Sequence, residues 1–513
     1  MTYQAWKQTH SFGAVISAAI EQVKYYFLNK QATYSSVFLM AAYPGVWNEK
    51  AYFLTPFIMS SMIIGSVTAL VHVVISDVMG MKRESGYLTG IISCLLVFLT
   101  LQTLPVPLEG IFWYNGSLHY VFMQSVLIFE IALILHGMYA GGSSGSADKE
   151  INVENDPAAV GIRNKKKVKI RVRTLIPASI LGFIAGGGNL ITGLQACILV
   201  GIHIAVMLIA YIAGKNGNPE NRLFRALGIG SFNRSHILFL IPEAITFICY
   251  MINITAPGNA IRQESVIQMN PVKAILNSFY YGAMHAVSWI SPMMIAVMFV
   301  VAVILVYLTG KAAGAGNYTH PVLFGFISFC VFAAMFTPTL YAMSEDAPSR
   351  VQNVIYIVEV LIIFLNLANG AGYINSKSFA IGDSLSGTYS EKQPARYGEN
   401  PSLKESLPTF IITGSVAVLI FFLFAADKNT YTSMSALRSI LNGEAARYYE
   451  QSFDRFEIYN DDTVRDAEIM AYTEDAKPYL LFKEDVGNEG EEGYWQNIEI
   501  SHHYDKDSIT VLK

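Results

Sequence analysis

The amino-acid sequence predicts an all-α polytopic membrane protein of about ten spans with a small C-terminal extracytoplasmic α+β domain. Two observations carry this. The 513 residues are 53% hydrophobic and only 14% charged, whereas a soluble domain averages about 25% charged residues. The shortage is also uneven. Residues 51–142, 174–214, 235–252, 289–341 and 351–425 are long apolar tracts, while 427–513 is dense in both signs of charge. The chain therefore divides into a segment 1–50, a membrane body 51–426 and a tail 427–513.

A span needs about 20 predominantly apolar residues. That length places spans near 52–79, 86–104, 119–141, 174–189, 191–214, 236–252, 289–310, 320–340, 351–373 and 407–425. The fourth and fifth share one apolar stretch, broken at Gly186-Gly187-Gly188-Asn189, which reads as a tight turn.

Orientation follows from the basic residues. Lys82-Arg83, the run from Arg163 to Arg173, the stretch from Lys215 to Arg234, Lys311, and the group Lys377, Lys392, Arg396 and Lys404 fall in alternate loops. Cytoplasmic loops carry the excess of Lys and Arg, so these loops lie inside. Glu109, Arg262 with Glu264, Glu345-Asp346 and the acidic tail then lie outside, which makes this a multi-pass protein of the cell membrane with an extracytoplasmic C-terminus. Lys273 and Arg350 are isolated bases on the outer side.

Residues 1–50 fall outside too. Phe12–Ile20 is too short to span and reads as an amphipathic helix. A polar segment on that side ordinarily follows a helix, so a further span ahead of Met1 is expected; translocation without one is the alternative.

The four cysteines, Cys94, Cys197, Cys249 and Cys330, sit in apolar tracts without metal or redox spacing, and read as small packed hydrophobes. No phosphate-binding Gly-Lys loop, zinc-binding His-Glu-x-x-His or nucleotide-binding glycine turn occurs, so chemistry driven by a cytoplasmic nucleotide has no support. No metal ligands and no nucleic-acid partner are assigned. His72, Asp77, Glu130, His136, Glu243 and Glu359 fall inside spans. Ionisable groups are costly in lipid and face a polar interior, so these read first as interior hydrogen-bond partners.

Three loops on the outer side could carry chemistry. The first runs Glu109-Gly110-Ile111-Phe112-Trp113-Tyr114-Asn115-Gly116-Ser117-Leu118-His119-Tyr120. Trp and Tyr gather at membrane interfaces simply as a belt. A belt does not require interleaved amide, hydroxyl, imidazole and carboxylate groups, whereas rings stacking on sugar faces beside polar groups do. The second, Asn253 to Arg262, holds Asn259 and places Pro257-Gly258 as a turn that stops a helix. Arg262 then lies at headgroup depth, where its planar fork suits a phosphate, either of a substrate or of ordinary lipid. The third, Glu345-Asp346-Ala347-Pro348-Ser349-Arg350, reads as a solvated turn before it reads as a base beside a clamp.

Taken in order, these runs resemble a bacterial family of multi-span proteins within the glucosyltransferase-like GT-C superfamily. The matching residues are Trp113-Tyr114-Asn115-Gly116 leading to Tyr120, Ala256-Pro257-Gly258-Asn259 with Arg262, and Gly443-Glu444-Ala445-Ala446-Arg447-Tyr448-Tyr449 with Arg455. Tyr34-Ser35-Ser36 with Pro44 is similar to the family's first outer loop. The resemblance covers nearly the whole chain, on short motifs. It implies a membrane glycosyltransferase that takes a sugar from a polyprenyl-phosphate donor, amid membrane lipid, and passes it to an envelope glycan acceptor on the outer face.

In such enzymes an acidic residue of the first outer loop acts as base or orients a metal. The resemblance leaves room for a divalent cation without fixing one. Residues 1–50 hold only Glu21 and Glu49 as acids, so the acidic pair that the resemblance implies just after a first helix is absent from them, a departure that implies a catalytically incomplete chain. The candidate catalytic residues are Glu109, Glu345 and Asp346; the candidate substrate-binding residues are Trp113, Tyr114, Asn115, His119, Tyr120, Asn259 and Arg262. A glycolipid transporter or flippase is the runner-up reading, on the carboxylates within spans, and a non-catalytic envelope-assembly protein is the third. A transporter usually shows internal repeats, and none stands out.

The tail is expected to hold a helix over Ser433–Tyr449, capped by Ser433 or Ser435 and built on Met434, Leu437, Leu441, Ala445 and Tyr448. Strands are expected at Tyr479–Phe482 and Ile509–Leu512, with Trp495 packed against them. The unit should sit near 109–120 and 256–262 and shut the site from water.

These orientations give a direct test. In a background without native cysteines, an impermeant thiol reagent on intact cells should label a cysteine placed at Ser501 and not one at Ser146. Labelling of Ser146→Cys alone would reverse the topology.

Overall fold

The structure is a computed structural model that describes residues 1–81, 86–140, 173–215, 234–264, 266–311, 318, 320–385, 413–414, 416–417, 420–421, 431–482, 486–491 and 493–512. Three short helices open the chain: α1 (Thr2–Thr9), α2 (Phe12–Asn29) and α3 (Tyr34–Ala41). Among the described residues, seven helices are long and apolar enough to cross a membrane: α4 (Glu49–Val78), α6 (Tyr114–Tyr139), α8 (Leu190–Ile212), α9 (His236–Ile254), α12 (Pro292–Lys311), α13 (Pro321–Met343) and α14 (Ser349–Ser376). Two shorter apolar helices, α5 (Gly86–Gln102) and α7 (Arg173–Gly186), stand among them. The chain is a helical, multi-pass membrane protein. Nine of the expected spans thus meet a helix; the tenth, at 407–425, lies largely outside the described residues, as does most of the basic run at 163–173.

Two helices lie between α9 and α12 where a loop was expected. Pro257 and Gly258 are not a helix-stopping turn; they open α10 (Pro257–Gln263), with Pro at a first-turn position, where its missing N–H costs nothing. Next, α11 (Pro271–Ser288) starts at Asn270, whose side chain accepts from the amides of Val272 and Lys273. Its Val272, Leu276, Tyr280 and Val287 are exposed while Ala274, Ser278 and Gly282 are buried. This amphipathic pattern is too polar for a span and long enough for a surface helix. Helix α2 covers Phe12–Ile20 and runs on to Asn29, with Phe12, Ile16, Ile20 and Leu28 exposed and Val15 and Ala19 buried. Cys94 and His72 are exposed on their helices rather than packed inside.

The end of α7 determines how these parts join. A helix leaves its last four carbonyls without intrahelical partners, and inside a membrane every backbone polar group must be satisfied internally. All four are met. The Tyr34 hydroxyl donates to the Phe183 carbonyl at 2.9 Å, Ser35 Oγ to Ile184 at 2.6 Å, the Gly188 amide to Ala185 at 3.0 Å, and Asn253 Nδ2 to Gly186 at 2.9 Å. The turn carbonyls follow suit, with the Ser35 amide donating to Gly187 and Ser36 Oγ to Gly188. The closeness needs glycine, since a Cβ at Gly187 would collide with the Tyr34 ring and Ser35 Oγ. Asn189 then caps α8, its Oδ1 accepting from the amides of Ile191 and Thr192, as N-cap residues do.

The tail holds α15 (Thr432–Leu441), α16 (Glu444–Asn460), β1 (Asp466–Met470), α17 (Tyr494–Tyr504) and β2 (Ser508–Leu512). The single helix expected over Ser433–Tyr449 is broken at Asn442-Gly443, where Gly443 takes φ +75°, a left-handed backbone that glycine adopts freely. Neither expected serine caps it; Tyr431 holds the cap position and the Ser433 hydroxyl bonds Gln102 instead. The strand at 509–512 is present. Its partner is not Tyr479–Phe482, which is a turn, but β1, which runs parallel in the register Asp466↔Ser508 to Met470↔Leu512. A parallel pair needs a long crossover, and α17, absent from the sequence reading, lies in it. Ala467, Ile469, Ile509, Val511 and Tyr459 make the small core. Trp495 is 63% exposed and takes no part in it.

Asn253 is buried with its Oδ1 unpartnered, so Asn253→Ala sacrifices only the bond to Gly186. Leaving that carbonyl orphaned should cost about 1–3 kcal/mol, read as a lowered thermal midpoint in detergent. An unchanged midpoint would show that the helix end finds another donor.

Candidate functional site

The tail, the N-terminal helices and the Trp113 loop enclose a cavity of about 530 Å³. Tyr3, Tyr26, Tyr43 and Tyr52 line it with Trp113, Tyr114 and Asn115, and Glu49, His502, His503 and Tyr504 complete its polar wall. Trp113 ends a π-helical turn at Leu108–Phe112; a Cβ at Gly116 would strike its ring. Tyr52 fixes the loop, accepting from the Tyr114 amide at 3.1 Å, while the Tyr114 hydroxyl reaches the Leu39 carbonyl at 3.3 Å. Asn115 remains exposed.

Glu49 and Glu499 are the carboxylates of this wall, and Glu49 is the one held by neutral donors. Its Oε1 accepts from the Tyr3 hydroxyl at 3.0 Å and its Oε2 from Asn460 Nδ2 at 3.3 Å. Burial first, and Glu49 second, hold the Tyr3 phenol above its usual range, so Tyr3 stays a neutral donor. Burial likewise pushes Tyr43 up to about 12, with Glu49 adding to it.

The tail closes the cavity by polar contacts and rings. His503 stacks on Tyr3 with centroids 4.4 Å apart, and its carbonyl accepts from Gln4 Nε2 at 2.8 Å. Lys7 pairs with Asp462 at 2.8 Å, Lys30 reaches Glu499 at 3.8 Å, and Ser433 donates to Gln102. Phe482 meets Trp113 edge-to-face at 5.5 Å. The tail thus packs at the Trp113 loop as expected, and reaches the region of Arg262 through the end of α2, against which α10 is packed. A Cβ at Gly258 would lie within 3 Å of α2 backbone atoms.

Of the residues singled out in the sequence, Trp113, Tyr114 and Asn115 line the cavity and the others do not. The His119 ring bonds Ser36 Oγ at 2.7 Å, and its carbonyl accepts from Asn189; Tyr120 stands edge-on to it. Asn259 ties α10 to α9, donating to the Asn253 carbonyl at 2.7 Å and accepting from the Ala32 amide. Arg262 is exposed and donates to the Gln31 side chain. Glu109 takes the Ser349 hydroxyl at 2.7 Å. Asp346 holds His285 at 2.7 Å against the faces of Phe336 and Trp289, and Glu345 is exposed. Glu49 was visible in the sequence only as one of two acids in the first loop. Tyr3, Tyr43 and the histidines gave no signal, since their convergence depends on tail docking.

Among the described residues no group of three or more His, Cys, Asp or Glu could hold a metal ion. A divalent cation would find Glu49 already held by two neutral donors and Glu499 facing Lys30, which does not fit such a site. No family model, no curated protein and no solved structure matches this chain.

Burial lowers the His503 imidazole to about 4 from 6.5. The unfolded tail therefore takes up a proton that the docked tail refuses, so this contribution to stability is fully present above about pH 6.5 and is lost as pH drops from about 6.5 to about 4. Protease resistance of the tail should decline across that window. His503→Gln should flatten the decline while keeping the fold; an unaltered pH profile would place the titration elsewhere.

Proposed function

We propose that this protein is a GT-C-like membrane glycosyltransferase of about ten spans, working on the outer face with a polyprenyl-phosphate-linked sugar for envelope glycan modification. The observation that supports it most is the composition of the cavity. Rings of Trp113, Tyr3, Tyr43 and Tyr52 stand with the held Glu49 carboxylate, a second carboxylate at Glu499 and the exposed Asn115 amide, which is the mixture that sugar faces and hydroxyls require.

In this reading Glu49 is the base. An acceptor hydroxyl gives its proton to Glu49 as its oxygen bonds the anomeric carbon, and the polyprenyl phosphate departs with the bonding pair. Tyr3 and Asn460 hold the carboxylate in place as neutral donors. Arg262, joined to the cavity wall through Gln31 and the last turn of α2, meets the donor phosphate at the membrane edge. The tail excludes water. A lipid-translocating role is the second reading, favoured by the buried Glu130 and Glu359 within α6 and α14.

The test is sugar transfer in membranes from a polyprenyl-phosphate donor to an envelope acceptor. Glu49→Gln should lower the rate about 10²- to 10⁴-fold, the usual worth of a positioned base. Arg262→Ala should lose about 1.5–3 kcal/mol, as for a hydrogen bond to a charged group, with Arg262→Lys retaining part. Full activity of Glu49→Gln would remove the catalytic assignment, and full activity of Arg262→Ala would leave that residue on bulk lipid.

A further inference from the structure

Within the bundle, α6, α7 and α9 meet at Glu130, Gly182 and Thr246, far along α6 from the cavity. Glu130 is 2% exposed. Its Oε1 lies 2.6 Å from Thr246 Oγ1, and Thr246 Oγ1 lies 3.0 Å from the Pro242 carbonyl. Its Oε2 has no hydrogen-bond partner. Gly182 makes the approach possible, because a Cβ there would collide with Glu130 Oε1, Thr246 Oγ1 and the Pro242 carbonyl together.

The protons must be counted. Thr246 has one hydroxyl proton, and two acceptors face it. If Glu130 is ionised, Thr246 can serve Oε1, since the Pro242 carbonyl already has the helix amide of Thr246, but the buried carboxylate keeps Oε2 with no donor and no counter-charge, which is expensive in an apolar interior. If Glu130 carries a proton, its hydroxyl donates to Thr246 and Thr246 donates to Pro242. Among the described residues no Lys, Arg or His pairs with Glu130. From α7 no titratable side chain faces it over residues 174–186. From α4, Asp77 bonds His136 at 2.7 Å and His72 is exposed.

The remaining neighbour is on α9. Glu243 precedes Thr246 by three residues and so shares its helix face, within electrostatic reach of Glu130. Both of its oxygens bond His203 Nδ1, at 2.8 and 2.9 Å, and His203 Nε2 is buried without a partner. This pair is a proton acceptor beside a proton donor.

We propose that Glu130 is a proton-binding site inside the membrane, loaded as the neutral acid and exchanging its proton with the Glu243–His203 pair. The ligand is a proton, and the site would let a transmembrane proton gradient act on the bundle at the contact of α6, α7 and α9. This stands apart from the sugar reading and does not need it.

Dicyclohexylcarbodiimide tests it in native membranes. A protonated carboxyl adds its O–H across one C=N bond, and the acylisourea rearranges to a stable N-acylurea that keeps the whole reagent mass. Mass mapping should find the adduct on Glu130, with yield falling several-fold from mildly acidic to alkaline pH. Thr246→Val, which removes the hydrogen-bond acceptor and leaves the acid, should still label; Glu130→Gln should not label at that peptide. Absence of the adduct on Glu130 while Glu359 labels in the same sample would overturn the site. After a jump to alkaline pH, wild-type reactivity should vanish at once and Glu243→Gln should retain it for longer. Equal decay in the two would overturn the exchange partner.

Discussion

The need to satisfy the carbonyls at the end of α7 fixes most of the architecture on that side of the bundle. The helix stops at three glycines within an apolar surround, and water is not at hand to take its carbonyls. Donors must come from elsewhere in the chain, and they come from three places: the Tyr34-Ser35-Ser36 run, the Asn253 amide and the turn itself. The N-terminal segment is therefore sewn to the bundle by hydrogen bonds, and Leu39, Met40 and Tyr43 add apolar contact with Met59, Leu118 and Met123. Each buried bond of this kind is modest in net worth, about 0.5–1.5 kcal/mol, yet each is costly to lose once its carbonyl is out of reach of water.

That fastening places the candidate site. With α3 pinned at Ser35 and Ser36, α2 lies along α10, and Tyr26, Tyr43 and Glu49 turn toward the Trp113 loop. The same network reaches His119 through Ser36 and Asn189, so residues that look like ligand-binding groups serve as joints. Glu49 is held in the cavity wall by two neutral donors, Tyr3 and Asn460.

The helical body was legible in the sequence because about 20 apolar residues in a row admit few other structures in a membrane. The tail was legible only in part. Its 509–512 strand alternates cleanly, but Gly443 separates two helices that periodicity alone runs together, and α17 carries too few apolar residues to mark itself. At the site, Trp113, Tyr114 and Asn115 were readable as rings mixed with an amide. His119 and Asn259 were misleading, since an amide or imidazole at a helix end looks the same in sequence whether it caps a backbone or awaits a ligand. Tyr3, Asn460 and His503 could not be found, because only folding brings positions so distant in sequence within 5 Å.

The contacts between the tail and the N-terminal helices are individually weak: lysine–carboxylate pairs at Lys7–Asp462 and Lys30–Glu499 on exposed side chains, the Tyr3 ring against His503 and Tyr504, and a few side-chain hydrogen bonds. As an encounter between separate molecules this would scarcely persist, since exposed pairs contribute about 0–1 kcal/mol each. Covalent tethering changes the arithmetic, because a tethered partner is present at an effective concentration in the millimolar range. Closure can then be favourable on average and still brief in each episode. In the proposed reading, a bulky lipid-linked donor enters while the tail is detached, without any unfolding of the bundle, and is enclosed on its return.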